Sequence, residues 1–286
     1  MSVFVTFAIG FLGGRLVWVL VRPTLAHTMF ERANYRGVPV PVAAGISVPL
    51  TLFLVEGGRA VAGAAGVGDA GLSPARAGVL LVAAGFGMVG LFDDLAGSVP
   101  DASRGFRGHV LALLRGRLTT GGAKLVGGLA LAAAAVATAS PDSSSSLGRL
   151  AADAALVALA ANLGNLLDRG PGRATKCSLV AFVALAVATR SAYAVAPVAA
   201  VVGAAAALLL DDLHERLMLG DTGANVLGGA LGLGVVLACA PGIRLVVLVA
   251  VAVLNVLSEV VSFSRVIAAV PPLRALDNLG RLHPSP

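Results

Sequence analysis

The sequence predicts an all-α fold, a polytopic membrane helix bundle of about nine transmembrane helices forming one domain over residues 1–286. Three observations predict it. Hydrophobic residues make up 57% of the chain and charged residues only 13%, whereas soluble domains average about 25% charged. Mean hydropathy is +0.91, and the apolar residues gather into runs long enough to cross roughly 30 Å of hydrocarbon. The basic residues collect in the short connections between those runs, a pattern of membrane topology. The net charge of +6 therefore points to membrane lipids as surroundings and not to nucleic acid, for which a basic face set with aromatics is missing.

The spans follow in order. Residues 2–22, "SVFVTFAIGFLGGRLVWVLVR", have neither a basic leading segment nor a clear cleavage site, so they read as a first span and not a signal peptide. A second run covers 40–56, and a Gly/Ala-rich connection (57–78) leads to the third, 76–96, which carries no charge between Ala77 and Phe92. The third connection, Gly97 to Gly122, is basic and suits a short amphipathic segment on the headgroups. Spans four and five, 122–140 and 150–168, flank the polar turn "SPDSSSSLGR". The remaining spans are 174–190, 192–210, 222–240 and 243–265, followed by a short tail, 266–286. Ala and Gly dominate several of them, which suits close helix packing in lipid. Cys177 and Cys239 both fall in apolar runs, so no disulfide framework is expected.

Orientation follows from the basic residues. The odd-numbered connections and the tail hold 15 Lys and Arg, the even-numbered connections 5, and Arg15 lies within the first span. The positive-inside rule then places the N-terminus outside and the C-terminus in the cytoplasm. Asp93, Asp94, Asp168 and Asp221, distant in sequence, all fall at cytoplasmic span ends. A carboxylate relay for transport would sit nearer mid-span, so a transporter ranks last.

Three polar groups interrupt the apolar pattern. In "GLFDDLAG" (90–97), two adjacent carboxylates close an apolar helix, although a helix C-terminus is electrostatically poor for Asp. Paired carboxylates at a hydrated edge are ligands for a hard cation such as Mg²⁺. In "NLGNLLDRGPGR" (162–173), Asn162, Asn165 and Asp168 recur every three residues and so share one helical stripe. That stripe serves either ligand binding or interhelical hydrogen bonding. In "LGDTGANVLGG" (219–229), Asp221 and Thr222 precede an apolar helix. Asp221 is there either as a plain N-cap or as part of a phosphate site at the helix N-terminus. Arg15 is expected to snorkel to the inner interface, with a lipid phosphate as a lesser alternative.

Taken together, these stretches resemble the polyprenyl-phosphate N-acetylhexosamine-1-phosphate transferases, the superfamily of phospho-N-acetylmuramoyl-pentapeptide transferase. "NYRGVPVPVAAGI" (34–46), which contains Arg36, is similar to the family's first cytoplasmic loop, with Ala44 in place of a glycine. Lys124 and Glu259 match a family lysine and glutamate. The resemblance runs from about residue 34 to 265. Pro171 stands where the family usually has a second aspartate, and the His-rich loop and tenth span are missing, leaving His283 alone in the tail.

The resemblance implies a reaction in cell-envelope glycan synthesis at the bacterial plasma membrane. A polyprenyl (undecaprenyl or decaprenyl) phosphate attacks a UDP-sugar, with a UDP-N-acetylhexosamine expected as donor, and UMP leaves. It further implies catalytic roles for Asp93, Asp94, Asp221 and Lys124, and substrate binding by Asn162, Asn165, Asp168 and Arg36. Mg²⁺ would be held by Asp221 and Asp94, and homodimers are common in the family. The alternative is a non-catalytic paralogue that binds the lipid or the nucleotide-sugar.

Overall fold

In a computed structural model the chain is an all-α membrane-type bundle with one small β-hairpin. The structure describes residues 2–96, 120–140, 146–190 and 193–282, with the side chains of 96 and 120–125 excepted. Twelve α-helices lie among the described residues: α1 (Val3–Leu25), α2 (Ser47–Ala64), α3 (Pro74–Ala96), α4 (Thr120–Ala139), α5 (Leu147–Leu167), α6 (Arg173–Ala188), α7 (Ala196–Ala206), α8 (Leu209–Leu213), α9 (Gly220–Ala238), α10 (Pro241–Ser258), α11 (Phe263–Ala269) and α12 (Pro271–Asn278). Six segments within this set are long and apolar enough to cross a membrane: Val3–Leu25, Ala44–Ala64, Pro74–Leu95, Leu147–Leu167, Gly220–Ala238 and Pro241–Ser258.

The second span begins later than its apolar run suggests. Val38 and Val40 each precede a proline, Pro39 and Pro41, whose rings push the preceding residue out of the helical region toward extended backbone. The chain forms a hairpin there instead, β1 (Glu31–Ala33) against β2 (Pro39–Pro41), with Arg32 opposite Val40. Asn34 closes its turn by accepting the N–H groups of Arg36 and Val38 on Oδ1. A 3-10 turn over Ala44–Ile46 then leads into α2.

The ninth span is also shorter than its apolar run. α10 ends at Ser258, and the chain breaks at Ser262 before α11, so residues 266–282 form helices packed on the bundle and not a free tail. Glu259, expected inside the span, is the exposed C-cap of α10.

α9 is the centre of the bundle, with fourteen of its residues buried, and α3 and α5 are its main neighbours. α1 packs along α7, where Gly10 and Gly14 abut the backbone of Ala200 and Ala204. α10 packs on α5 at the rim and has no buried residue. At one end of this bundle the C-terminal ends of α3 and α5 meet the N-terminal ends of α2, α6 and α9, together with the hairpin, α8 and α12. The polar groups singled out in the sequence converge at this end, with the exception of Asn162.

Candidate functional site

The end of α3 meets the start of α9 through a cap that crosses between helices. Asp94 Oδ1 accepts the N–H of Asp221 at 3.0 Å. Its Oδ2 accepts the N–H and the hydroxyl of Thr222 at 3.0 and 2.5 Å. Two of the four unpaired donors at the α9 N-terminus are thereby satisfied by a buried carboxylate. The negative charge also sits at the positive end of the α9 dipole. Close approach makes this reachable: a Cβ on Gly90 would lie 2.4 Å from the carbonyl of Asp221. Gly220, at φ +71°, presses against the Val42 carbonyl and the Asp94 carboxylate, where no side chain fits. Asp94 was expected to be catalytic and to hold metal. What the structure shows of it is a structural role, as the N-terminal anchor of α9.

Asn165 and Asp168 are brought to the same place by the last turn of α5. Asn165 Nδ2 donates to Asp221 Oδ2 at 2.9 Å. Asp168 is the C-cap of α5 and accepts the Gly220 N–H. Asn162 departs from this stripe: its Nδ2 donates to Asn255 Oδ1 on α10 at 2.6 Å, on the flank away from Asp221. The stripe thus splits into one interhelical tie, Asn162, and two site residues.

Asp168 faces a cleft of about 190 Å³ beside the hairpin, bounded also by Asn34, Tyr35, Asp212 and Glu215. Burial, followed by the charges of Asp212, Asp221 and Asp94, holds the Asp168 carboxyl well above the usual carboxylate range. Asp212 is pushed up to about 7 by burial, against the Gly172 N–H and the cations Arg281 and Lys176. Buried carboxyl groups, Asp94 and Asp168, therefore lie beside Asp221, and burial favours their protonated forms.

Arg36, expected to bind substrate, is engaged by the protein. Its Nε donates to Glu215 Oε2 at 2.7 Å, and the same carboxylate accepts Asn34 Nδ2 and the Tyr35 hydroxyl. Glu215 holds a left-handed φ of +56°, a strained position for this residue, fixed by the three hairpin donors. Arg15 pairs with Asp211 Oδ2 at 2.6 Å, and Trp18 Nε1 donates to the same oxygen at 3.1 Å. Burial alone would raise Asp211, yet its hydrogen bonds from Arg15 and Arg216 hold it below the usual range. Arg15 therefore serves an ion pair and is not merely reaching for the interface.

Asp211, Asp212, Glu215 and Asp277 are polar residues of this end that the motif reading missed. The first two carried a usable signal. "LLLDD" (208–212) repeats the pattern of "GLFDD", with two carboxylates closing an apolar run.

The fit to Mg²⁺ is narrower than expected. Among the described residues no three His, Cys, Asp or Glu side chains form a ready metal cage. Mg²⁺ commonly takes only one or two carboxylates and completes its shell with phosphate oxygens and water. Asp221, at the N-terminal end of α9 beside the cleft carboxyls, fits that role; Asp94, whose oxygens already accept three hydrogen bonds from α9, is less available. Lys124, Arg104, Arg107, His109 and His283 lie outside the described residues or side chains. No protein-family model matches the chain, and no curated protein matches it.

Proposed function

We propose that the chain is a membrane sugar-1-phosphate transferase working at the carboxylate-lined end of the bundle. The observation that carries this reading is the convergence of Asp93–Asp94, Asn165–Asp168 and Asp221, from three separate helices, on one bundle end beside a cleft. That convergence is what a reaction between a lipid phosphate and a soluble nucleotide requires. An oxygen of the polyprenyl phosphate attacks the β-phosphorus of a UDP-N-acetylhexosamine. The bond from that phosphorus to the oxygen bridging the α-phosphate breaks, and its electron pair leaves with UMP.

Asp221 would hold Mg²⁺, and the cation would neutralise charge on the diphosphate. Asn165 fixes the Asp221 carboxylate, and Asp93 orients the attacking phosphate. Asp168 and Asp212 face the nucleotide-sugar in the cleft. Lys124 completes the phosphate contacts as a compact cation. Asp94 acts through α9, by placing Asp221.

The topology in this proposal has nine crossings, with the N-terminus outside and the carboxylate end in the cytoplasm of a bacterial plasma membrane. Six long spans, two shorter apolar helices (Val126–Ala139 and Tyr193–Ala206) and α6 supply that number. Purified protein given Mg²⁺, polyprenyl phosphate and a panel of UDP-sugars should release UMP. No release with any donor, from protein that retains its fold, would sink the reading. It would favour the second one, a binding paralogue, for which the engagement of Arg36 by Glu215 and of Asp94 by α9 is the specific support.

A further inference from the structure

Residues 271–282, which comprise α12 and the turn after it, pack with their charges inward and their leucines outward. The two buried residues of the stretch are Asp277 and Arg281, at 6% and 9% exposure. Leu273, Leu276, Leu279 and Leu282, spaced by three, are 43%, 63%, 67% and 56% exposed. The inner face is held by polar contacts. Arg173 grips Asp277 with two parallel bonds, Nε to Oδ1 at 2.7 Å and Nη2 to Oδ2 at 2.8 Å. Arg281 reaches the same Asp277 Oδ1 at 2.8 Å and the Pro171 carbonyl at 3.1 Å. Lys176 Nζ donates to the carbonyls of Leu276, Asp277 and Leu279.

A helix that bordered water would fold the other way. Burying a leucine stabilises a fold more than an ion pair left at a wet surface does. Four outward leucines therefore call for an apolar medium on that side. Continuity with the preceding helix says which medium. α10 is apolar, has no buried residue and crosses the bundle rim where lipid must cover it. Four residues, 259–262, separate it from α11, which exposes Val266 and is followed by exposed Val270. The segment thus starts at the membrane surface. Arg265 and Arg274, both exposed, supply cations at headgroup level.

We propose that residues 271–282 lie in the headgroup layer of the bilayer, with the leucine row dipping into the acyl boundary and Arg265 and Arg274 on anionic lipid phosphates. Amphipathic helices bind interfaces in this way. The bilayer then braces one side of the cleft, because Arg281 ties this membrane-borne segment to Pro171. The inference stands independently of the transferase reading.

The test uses the full chain in nanodiscs containing anionic lipid, with Cys177→Ala and Cys239→Ala as background. A nitroxide is attached at Leu276→Cys or Leu279→Cys, with Val67→Cys in the α2–α3 connection as a water-exposed control. Labels at 276 and 279 should be relaxed by oxygen in preference to a water-soluble nickel chelate, and the label at 67 the reverse. Chelate-dominated relaxation at both leucine positions overturns the proposal. So does dipolar broadening between labels, which means that a second copy covers the row. A second measurement follows tryptic cleavage after Arg274. Leu276→Glu combined with Leu279→Glu should speed it about ten-fold in nanodiscs, and an unchanged rate counts against the proposal.

Discussion

Asp94 and Thr222 are 128 residues apart, and the Asp94 Oδ2 accepts both the backbone N–H and the hydroxyl of Thr222. A carboxylate at the end of one helix thereby serves as the N-cap of another. This relationship separates two neighbours that look equivalent in the sequence. Asp94 fixes where α9 begins; in the proposed reaction it is Asp93 that meets the lipid phosphate.

The two aspartates should therefore respond differently to substitution. Asp94→Ala leaves buried donors of Asp221 and Thr222 unsatisfied, a loss of ~1–3 kcal/mol. Its thermal unfolding in detergent should shift down clearly, with activity falling as Asp221 is displaced. Asp93→Asn should shift the unfolding temperature less than Asp94→Ala does and yet lose most UMP release. Equal thermal shifts for the two variants would contradict the division of labour.

Asp221→Asn keeps the shape and a hydrogen-bonding oxygen for Asn165 but removes the charge a cation needs. Mg²⁺-dependent UMP release should fall roughly a hundred-fold or more, comparable to the loss of a main electrostatic stabiliser. Folded yield should be unchanged, because the Asp94 cap uses the Asp221 backbone and not its side chain. Turnover at the parental level would remove Asp221 from the reaction.

Much of the fold was legible because apolar runs bounded by arginines read directly as spans. The second span starts later than its apolar run because composition does not register that Pro39 and Pro41 hold Val38 and Val40 extended. The last was overrun because Val260 and Val261 are as apolar as α10 although the helix has ended. Asp93, Asp94, Asn165, Asp168 and Asp221 were legible as polar breaks at span ends. Which of them serves as a cap was not, since the partner of Asp94 comes from a helix remote in sequence. Glu215 and Asp277 gave no local signal at all: each matters through an arginine from another element.

Asp212 should make stability fall as pH rises. Its carboxyl is pushed up to about 7 in the folded chain, against 3.8 for the unconstrained group. Between those values the folded state holds a proton that the unfolded state has released, so stability is highest at the acid end of the window and declines toward pH 7. Each pKa unit of displacement corresponds to ~1.4 kcal/mol. Asp212→Asn should make the decline between pH 4 and 7 shallower, leaving the part that Asp168 and Asp94 carry, and raise the unfolding temperature at pH 8. A parental profile in Asp212→Asn would show that this carboxyl is not among the titrating groups.

Val67 and Met29 are exposed at opposite ends of the bundle and so report its orientation. On the cysteine-free background, Val67→Cys should react with a membrane-impermeant maleimide in whole cells. Met29→Cys, at the carboxylate end, should react only after permeabilisation. The opposite pattern would put the carboxylates outside, away from cytoplasmic nucleotide-sugars, and end the transferase reading.

Gly90 tests the crossing that lets Asp94 reach α9. A Cβ there would lie 2.4 Å from the Asp221 carbonyl and 2.5 Å from the Thr222 nitrogen, both backbone atoms that cannot turn aside. Gly87, one turn earlier on the same helix, is different: its Cβ would meet the Pro49 ring at 3.2 Å and a Val226 methyl at 3.5 Å, which side-chain adjustment accommodates. Both substitutions remove a glycine from a helix interior and gain about the same ~1 kcal/mol of helix propensity, so that term cancels between them. Gly90→Ala must then push α3 and α9 apart and break the Asp94 cap, lowering folded yield and abolishing activity together. Gly87→Ala should keep near-parental unfolding temperature and turnover. If Gly90→Ala is tolerated as well as Gly87→Ala, the two helices are not in contact at this point, and the cap between Asp94 and Thr222 cannot form as described.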